Sequence, residues 1–281
     1  MKPNIYIVIF LLIIFCNSYA QPTDEANRYR RYDSSLALLR LDTLHGKAKT
    51  IYSKNYSVRA KTIQSLIEKC TAFYEKKFPE IKFTVQVLLL DTVDFNKVIF
   101  PFRDKLPYAF PFALSKRNLI VLWADKKAMG DNSPDSVLSD WDGTALHELG
   151  HIFWNVEKHI NLKENWANEF LANYFAGYYY LEFHPNEVAT IGQENKSNDY
   201  QPTYKTLEDF ERLYVNMGVK NYGWYQGKFE QLSDRLYLKF KIDLFKKTTD
   251  NYSAHGKNLE FVTFLKQLAP DITEQWLKEM K

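Results

Sequence analysis

Cysteine is scarce in this sequence, which limits how the fold can be held together. Of 281 residues only Cys16 and Cys70 are cysteines. Cys16 belongs to an apolar run near the start of the chain, so the rest of the protein has a single cysteine and cannot form an intramolecular disulfide. Cys70 falls among the apolar positions of a helical pattern, which favours a buried, inert thiol.

An excess of either charge is also missing. The 37 Lys and Arg residues nearly balance the 34 Asp and Glu residues, and the formal net charge is +3. Nucleic-acid-binding domains usually carry a strongly basic surface, so this balance argues against a nucleic-acid partner. Residues 28–31 (Arg-Tyr-Arg-Arg) form a local basic cluster, which we interpret as a solvated segment rather than a binding arm.

No apolar run is long enough to cross a membrane. The run at residues 5–15 is shorter than the roughly 20 residues that a transmembrane helix needs. Lys2 precedes it and Ser-Tyr-Ala follows it, which predicts a signal peptide at residues 1–20 and an exported protein, periplasmic or secreted. A lipid anchor at Cys16 is not expected, because the bulky Phe15 precedes it.

The sequence does contain the string His-Glu-Leu-Gly-His at residues 147–151. On a helix, residues i and i+4 share a face, so His147 and His151 can bind one metal ion. Glu148 is rotated by about 100° from His147 and would stand beside the ion, where it can take a proton from water. Zinc is the expected ion, since it suits neutral imidazole and a catalytic site needs three protein ligands and one open position.

The residues around this string favour a helix. Residues 140–144 offer N-cap candidates, and apolar residues follow at helical spacing as far as Phe153. Gly150 is unexpected, because glycine inside a helix costs about 1 kcal/mol relative to alanine. We therefore expect another backbone to approach the metal-bearing face of the helix at Gly150.

Glu169 is the predicted third ligand. It begins a second helical pattern, residues 169–177, and shares one face with two alanines and Asn173. The small residues on this face would let the second helix lie against Gly150. The other candidates that the sequence offers for a ligand are Glu157, Glu164, His159 and His184.

Asn173 is placed one turn after Glu169. We predict that its side chain accepts a hydrogen bond from the outer nitrogen of a metal-binding histidine, a common arrangement around bound metals. The plainer interpretation is an amphipathic helix with a surface glutamate and a capping asparagine.

The segment that carries these residues resembles the gluzincins, zinc peptidases whose third ligand is a glutamate on a following helix. Residues 166–172 (Trp-Ala-Asn-Glu-Phe-Leu-Ala) are similar to the W-L-N-E-G-F-A motif of aminopeptidase-N-like enzymes. Residues 169–176 are similar to the E-x-x-A-N-x-F-A segment of the ImmA/IrrE metallopeptidases. The resemblance covers about residues 140–180. It implies zinc as the cofactor, but nothing implies aminopeptidase action, since the G-x-M-E-N exopeptidase motif is missing.

The resemblance also implies an α+β, zincin-like fold, with a small mixed sheet and an active-site helix followed by a mainly helical C-terminal lobe. The domain would cover residues 21–281, with an N-terminal lobe at about 50–155 and a C-terminal lobe at about 156–281. Hydrophobic patterns predict a helix at residues 57–77 and strands at 83–90 and 118–123. Further helices are expected near residues 206–216, 227–247, 259–268 and 273–280.

Strand 118–123 precedes the metal-binding helix. In zincins such a strand often forms an edge along which an extended peptide substrate pairs. A strand in the middle of the sheet would show the same pattern, so the sequence leaves both interpretations open. Residues 108–111 are a candidate for the neighbouring turn or hairpin arm.

Gluzincin catalysis usually needs a donor that stabilises the oxyanion. Tyr222 and Tyr225 follow Glu169 at a distance that suits a returning C-terminal segment, and either phenol could serve as a catalytic donor. His159 is a second option. The alternative interpretation is that these residues serve only in packing.

The sequence therefore predicts an exported zinc metallopeptidase that acts on a peptide or protein substrate, with Glu148 as general base. One alternative is a non-catalytic binding protein of the cell envelope that keeps the zincin fold. Another is an aromatic-rich surface or glycan-binding protein in which the motif is incidental. That last alternative predicts aromatic side chains grouped on one exposed face.

Overall fold

The structure is a computed structural model, which describes residues 24–82, 84–102, 110–125, 142–156, 162–186, 200–255 and 260–280. The predicted signal peptide at residues 1–20 lies outside these ranges. So do Cys16, Glu157 and His159, and the predictions made for them stay predictions.

Five strands of the described chain form one mixed sheet in the order β1-β2-β3-β5-β4. The three inner strands β2, β3 and β5 are parallel, and the outer strands β1 and β4 are each antiparallel to their neighbour. The strands are β1 (Leu41–Leu44), β2 (Ala48–Ser53), β3 (Val85–Leu90), β4 (Phe112–Leu114) and β5 (Leu119–Trp123).

The two predicted strands are confirmed as β3 and β5, which begin at Val85 and Leu119. Both are nearly continuous apolar runs, as expected for parallel strands covered on both faces. β5 pairs with β3 on one side and with β4 on the other. The question left open for residues 118–123 is thus answered: they form an inner strand, and among the described residues β4 is the edge of the sheet on that side.

Helices make up most of the remaining described chain. The helix predicted at residues 57–77 has these same bounds in the structure. The helices are α1 (Asp24–Ala37), α2 (Ser57–Lys77), α3 (Thr92–Ile99), α4 (Gly143–Val156), α5 (Asn165–Phe183), α6 (Leu207–Leu213), α7 (Val219–Phe240), α8 (Asp243–His255), α9 (Phe261–Leu268) and α10 (Pro270–Glu279). In this part of the chain no helix has both the length and the apolar character to cross a membrane. Sheet and helices together give an α+β fold.

The helix predicted at residues 227–247 is wrong in its bounds. The structure has two helices here, because the chain leaves α7 at Lys241, whose φ of 44° is left-handed. The N–H of Lys241 still closes α7 by donating to the Tyr237 carbonyl. α7 also begins earlier than predicted, at Val219, which places Tyr222 and Tyr225 on a helix.

The sheet has a different set of helices on each face. Val87 and Leu89 of β3 belong to the hydrophobic cluster that contains α2, α4 and the C-terminal helices. Leu88 and Leu90 point to the other face and pack with residues of α1 and α3. This alternation follows from the strand geometry, and it puts the helix with the His-Glu-Leu-Gly-His string on the first face.

Aromatic side chains mainly fill the interior. The largest fully buried side chains are all aromatic, among them Trp276, Tyr74 and Phe175. Of the large apolar side chains exposed in the described chain, only Phe100 and Phe183 are aromatic. This distribution disfavours the glycan-binding alternative, which needs aromatic rings grouped on an exposed face.

Gly150 brings α4 and α5 into close contact, as the sequence predicted. A Cβ atom placed on Gly150 would lie 2.9 Å from Cα and 3.1 Å from the carbonyl oxygen of Ala172. Both are backbone atoms, so the second helix would have to move. The glycine and the small residue opposite it therefore set the distance between the helix of His147 and the helix of Glu169.

We expect Gly150→Ala to lower the free energy of unfolding by about 1–3 kcal/mol, because the added methyl overpacks the α4–α5 contact. Gly177→Ala, on α5, is the matched control, since a Cβ there meets nothing within 4 Å. It should leave stability unchanged or raise it by up to about 1 kcal/mol. Urea unfolding of both variants measures the difference, and equal stabilities would contradict the close contact.

Candidate metal centre

The start of α4 is fixed by a capping aspartate. The Asp142 carboxylate accepts a hydrogen bond of 2.9 Å from the backbone N–H of Ala145, which satisfies one of the unpaired donors at the helix start. The same carboxylate forms an ion pair with Arg59 of α2, whose side chain is buried. The helix that carries His147, Glu148 and His151 is thereby tied to its neighbour at its N-terminus.

The three predicted metal ligands lie together. Nε2 of His147 is 3.2 Å from Nε2 of His151 and 3.2 Å from Oε2 of Glu169. Nε2 of His151 is 3.8 Å from Oε1 of Glu169. The two histidines come from successive turns of α4, and Glu169 comes from the first turns of α5, so the contact between these helices assembles the group.

This group of side chains could hold a metal ion. Two ligand atoms bound at tetrahedral angles, each about 2.0–2.1 Å from a zinc ion, lie about 3.3 Å apart. Nε2 of His147 lies at close to that distance from Nε2 of His151 and from Oε2 of Glu169, 3.2 Å in both cases, and the other Glu169 oxygen, Oε1, lies 3.8 Å from Nε2 of His151. Two imidazoles and a carboxylate also form a donor set typical of catalytic zinc, with one position left open. The residues thus fit a zinc ion in both spacing and chemistry.

Asn173 makes the contact that was predicted for it. Its Oδ1 lies 2.8 Å from Nδ1 of His147. A proton on Nδ1 leaves Nε2 as the nitrogen with a free lone pair, and Nε2 is the atom that faces His151 and Glu169. Asn173 therefore orients His147 for binding through Nε2.

Glu169 is surrounded by hydrogen-bond donors that the sequence analysis missed. The Tyr214 hydroxyl donates to Oε1 at 2.5 Å, and the Gln226 amide donates to Oε2 at 2.8 Å. Tyr214 and Gln226 are 45 and 57 residues from Glu169 in the chain, so no local pattern connects them with it. The one signal available was the i, i+4 spacing of Tyr222 and Gln226, which has meaning only once α7 is known to begin at Val219.

The two predicted tyrosines have different surroundings. The Tyr222 hydroxyl donates to Oε2 of Glu169 at 3.1 Å, and its ring lines the cavity above the group. The Tyr225 hydroxyl instead donates to the Thr206 carbonyl at 2.7 Å, and the side chain is fully buried away from the cavity. Three residues turn a helix by about 300°, so the two side chains leave α7 only about 60° apart, yet of the two it is Tyr222 that lines the cavity. Of the two predicted donors, the structure thus places Tyr222 at the cavity and Tyr225 away from it.

Glu148 stands beside the three ligands and lines the same cavity. Its side chain is only 6% exposed, and its carboxylate accepts a hydrogen bond from the backbone N–H of Ala113 in β4. The edge strand thus holds the carboxylate that the sequence predicts to be the general base.

Burial and neighbouring charges shift the ionisation of these groups. The pKa of Glu148 is raised to about 7, chiefly by burial. The charge of His147 and the Ala113 N–H act to lower this pKa, and the charge of Glu169 acts to raise it. Burial lowers the pKa of His151 to about 4. Burial alone would also lower the pKa of His147, but the hydrogen bond to Glu169 and its charge outweigh this effect and raise it to about 9.

The pKa of Glu169 shifts in the opposite direction to that of His147. Its burial favours the neutral acid, but the hydrogen bond from His147 and the charges of both histidines hold its pKa well below the usual range. Without a metal ion, Glu169 and His147 are therefore an ion pair at neutral pH. A metal ion taken up by these groups would displace the His147 proton.

The remaining candidates that the structure describes have other roles. Both carboxylate oxygens of Glu164 accept from the backbone N–H of Phe261 at 3.1 Å, which caps α9. His184 ends α5 and stacks on Tyr180, with ring centroids 4.4 Å apart. Neither belongs to the group around His147.

A cavity of about 640 Å³ opens above the group. β4 and the two residues before it line the cavity, and so do Tyr214 and Tyr222. Phe110 and Trp123 add aromatic rings, with the Phe110 ring 6.1 Å from that of Tyr222. Its volume lies within the usual range of ligand sites, about 300–1,000 Å³. The group therefore faces a space large enough for a substrate.

These residues are well placed to bind a divalent ion at the floor of the cavity, with a buried carboxylate next to it. Comparisons with known proteins do not assign this chain to a family. No model of a known protein family, no curated protein and no solved structure matches this chain.

Proposed function

We propose that this protein is a zinc-dependent peptidase of the gluzincin type, with a zincin-like fold. The observation that carries the proposal is the joint placement of His147, His151, Glu169 and Glu148 at the floor of one cavity. A metal site that served only to stabilise the fold would need neither an open cavity nor a free carboxylate beside it. We further propose that the protein is exported, with residues 1–20 as its signal peptide.

His147, His151 and Glu169 would hold the zinc ion, which supplies Lewis acidity to polarise the scissile carbonyl and to acidify water. Glu148 takes the proton of the attacking water and later delivers it to the leaving amine. Its raised pKa, about 7, suits a group that both accepts and donates a proton near neutral pH. The Ala113 N–H keeps the carboxylate turned towards the cavity.

The substrate in this proposal is an extended peptide that lies along β4. β4 is the last strand of the sheet in the described chain, and it lines the cavity on the side of Glu148. The backbone groups of an edge strand can pair with any peptide backbone. The aromatic rings of Phe110, Trp123 and Tyr222 would then contact the side chains of the peptide.

Tyr222 is the proposed donor to the oxyanion, and we expect Tyr222→Phe to lower kcat by about 100-fold. The expected metal affinity changes much less, since Glu169 keeps its bonds from Tyr214 and Gln226. Tyr225→Phe is the matched control and should retain wild-type kcat. Equal kcat values for Tyr222→Phe and the wild type would remove Tyr222 from the mechanism.

Peptide hydrolysis itself is tested with a mixture of peptides whose products are identified by mass spectrometry. We expect cleavage that stops when a chelator is added and returns when zinc is restored. The alternative, a binding protein with a zincin fold, predicts bound zinc and peptide binding without any cleavage. Cleavage by the purified protein that a chelator does not stop would contradict the proposal, because the hydrolysis would then not depend on a metal ion.

A further inference from the structure

We infer that Gln226 is a positioning residue that links two of the metal ligands through a directed chain of hydrogen bonds. The inference rests on the proposed function only in requiring that His147, His151 and Glu169 bind a metal ion. It assigns a role to a residue on α7, a helix that contributes no metal ligand.

The chain of hydrogen bonds runs through two amides. Nδ1 of His147 lies 2.8 Å from Oδ1 of Asn173, and Nδ2 of Asn173 donates to Oε1 of Gln226 at 2.9 Å. Nε2 of Gln226 then donates to Oε2 of Glu169 at 2.8 Å. Each bond has an ordinary length, so the side chains of α4, α5 and α7 form one continuous network.

The direction of this chain follows from the chemistry of its two ends. The Glu169 carboxylate can only accept, so the Gln226 amide must turn its NH₂ group towards it. The Gln226 oxygen then faces Asn173, which must donate through its own NH₂ group. The Asn173 oxygen is left to face His147, and Nδ1 must carry the proton.

This direction favours metal binding through the other nitrogen. With the proton held on Nδ1, the lone pair of Nε2 is available to an ion that lies between His147, His151 and Glu169. Without Gln226 the Asn173 amide could rotate and present its NH₂ group to Nδ1. His147 would then favour the tautomer with its proton on Nε2, which leaves no lone pair on the nitrogen that faces His151 and Glu169. Gln226 thus sets both the position of the Glu169 carboxylate and the tautomer of His147.

Gln226→Met tests the inference, because it keeps the approximate volume and removes the donor and the acceptor. Gln231→Met is the matched control on the same helix, where the Gln231 oxygen accepts a hydrogen bond from Lys228. Zinc affinity is measured by competition with a chromogenic chelator. The absorption spectrum of the protein loaded with Co²⁺ alone reports the geometry around the metal, which a general loss of stability would not alter.

We expect Gln226→Met to weaken zinc binding by about 10- to 100-fold, the usual effect of losing the partner of a metal ligand. Its Co²⁺ spectrum should shift in band position or intensity, while Gln231→Met matches the wild type in both measurements. Should Gln226→Met not fold, Gln226→Asn keeps the amide but is too short to reach both neighbours, and the same changes are expected.

A double-mutant cycle adds a second test. If Asn173 and Gln226 act through one chain, Asn173→Ala combined with Gln226→Met should weaken zinc binding by less than the product of the single effects. Wild-type zinc affinity and an unchanged Co²⁺ spectrum in Gln226→Met would overturn the inference and leave the proposed function standing. Absence of metal binding in the wild type would overturn both.

Discussion

Glu148→Gln is expected to lower kcat/KM for peptide hydrolysis by about 1000-fold, in the middle of the range attributed to general acid–base groups. Glutamine has nearly the same shape, so the packing of a side chain that is only 6% exposed should be kept. It cannot accept the proton of the attacking water, and that is the function the account assigns to Glu148. The metal content should stay at the wild-type level, because Glu148 is not one of the three ligands.

The control for this variant is Glu274→Gln, which removes an exposed carboxylate on α10 and should leave turnover unchanged. Initial rates on one cleaved peptide, together with elemental analysis of each protein, separate loss of chemistry from loss of metal. Turnover within about tenfold of the wild type, well below the range for such groups, would exclude Glu148 as the general base. Loss of metal in Glu148→Gln would instead show that Glu148 is a ligand.

Glu169→Gln is expected to weaken zinc binding by more than the roughly 100-fold reported for groups that only support a ligand. The substitution removes the negative charge that faces His147 and His151. It also replaces one carboxylate oxygen by an NH₂ group, although Tyr214 donates to Oε1 and both Tyr222 and Gln226 donate to Oε2. At least one buried donor would lose its partner, which adds about 1–3 kcal/mol of destabilisation.

Zinc affinity by chelator competition measures this effect, again with Glu274→Gln as the control. An unchanged affinity in Glu169→Gln would mean that another group completes the site. Glu164 is then a poor replacement, since both of its oxygens cap α9. Glu157, which lies outside the described residues, would become the next variant to make.

The parts of the site that could be predicted are those encoded within single helices. His147, Glu148 and His151 follow one another on α4, and Glu169 and Asn173 are one turn apart on α5. Gly150 indicated the contact between these helices, because a glycine there is otherwise unfavourable. The structure places all of these side chains together, as their spacing predicts.

Tyr214 and Gln226 could not be predicted in this way. They reach Glu169 because α6 and α7 fold back onto α5, and that packing depends on the tertiary structure rather than on local spacing. For the same reason, the sequence could not show which of Tyr222 and Tyr225 faces the cavity. Both are aromatic residues near one another in the chain, and only the orientation of α7 decides which one faces the cavity.

The fold, too, has parts that the sequence predicts and parts that depend on tertiary packing. The strands β3 and β5 are apolar runs that could be recognised directly, whereas β1 and β4 have only four and three residues and depend on their neighbours for pairing. The basic cluster at residues 28–31 was expected in a solvated segment. It lies in α1, where Arg30 and Arg31 are exposed, while Arg28 forms an ion pair with Asp24 and donates to the Pro101 carbonyl.

The metal content of the purified protein tests the central claim most directly. After dialysis, elemental analysis should find about one zinc ion per chain, and none in a variant with both His147→Ala and His151→Ala. Zinc in the wild type that disappears in this variant would establish the metal centre and identify its metal. No metal in the wild type, even after incubation with zinc, would contradict the account, and the proposed peptidase activity would fall with it.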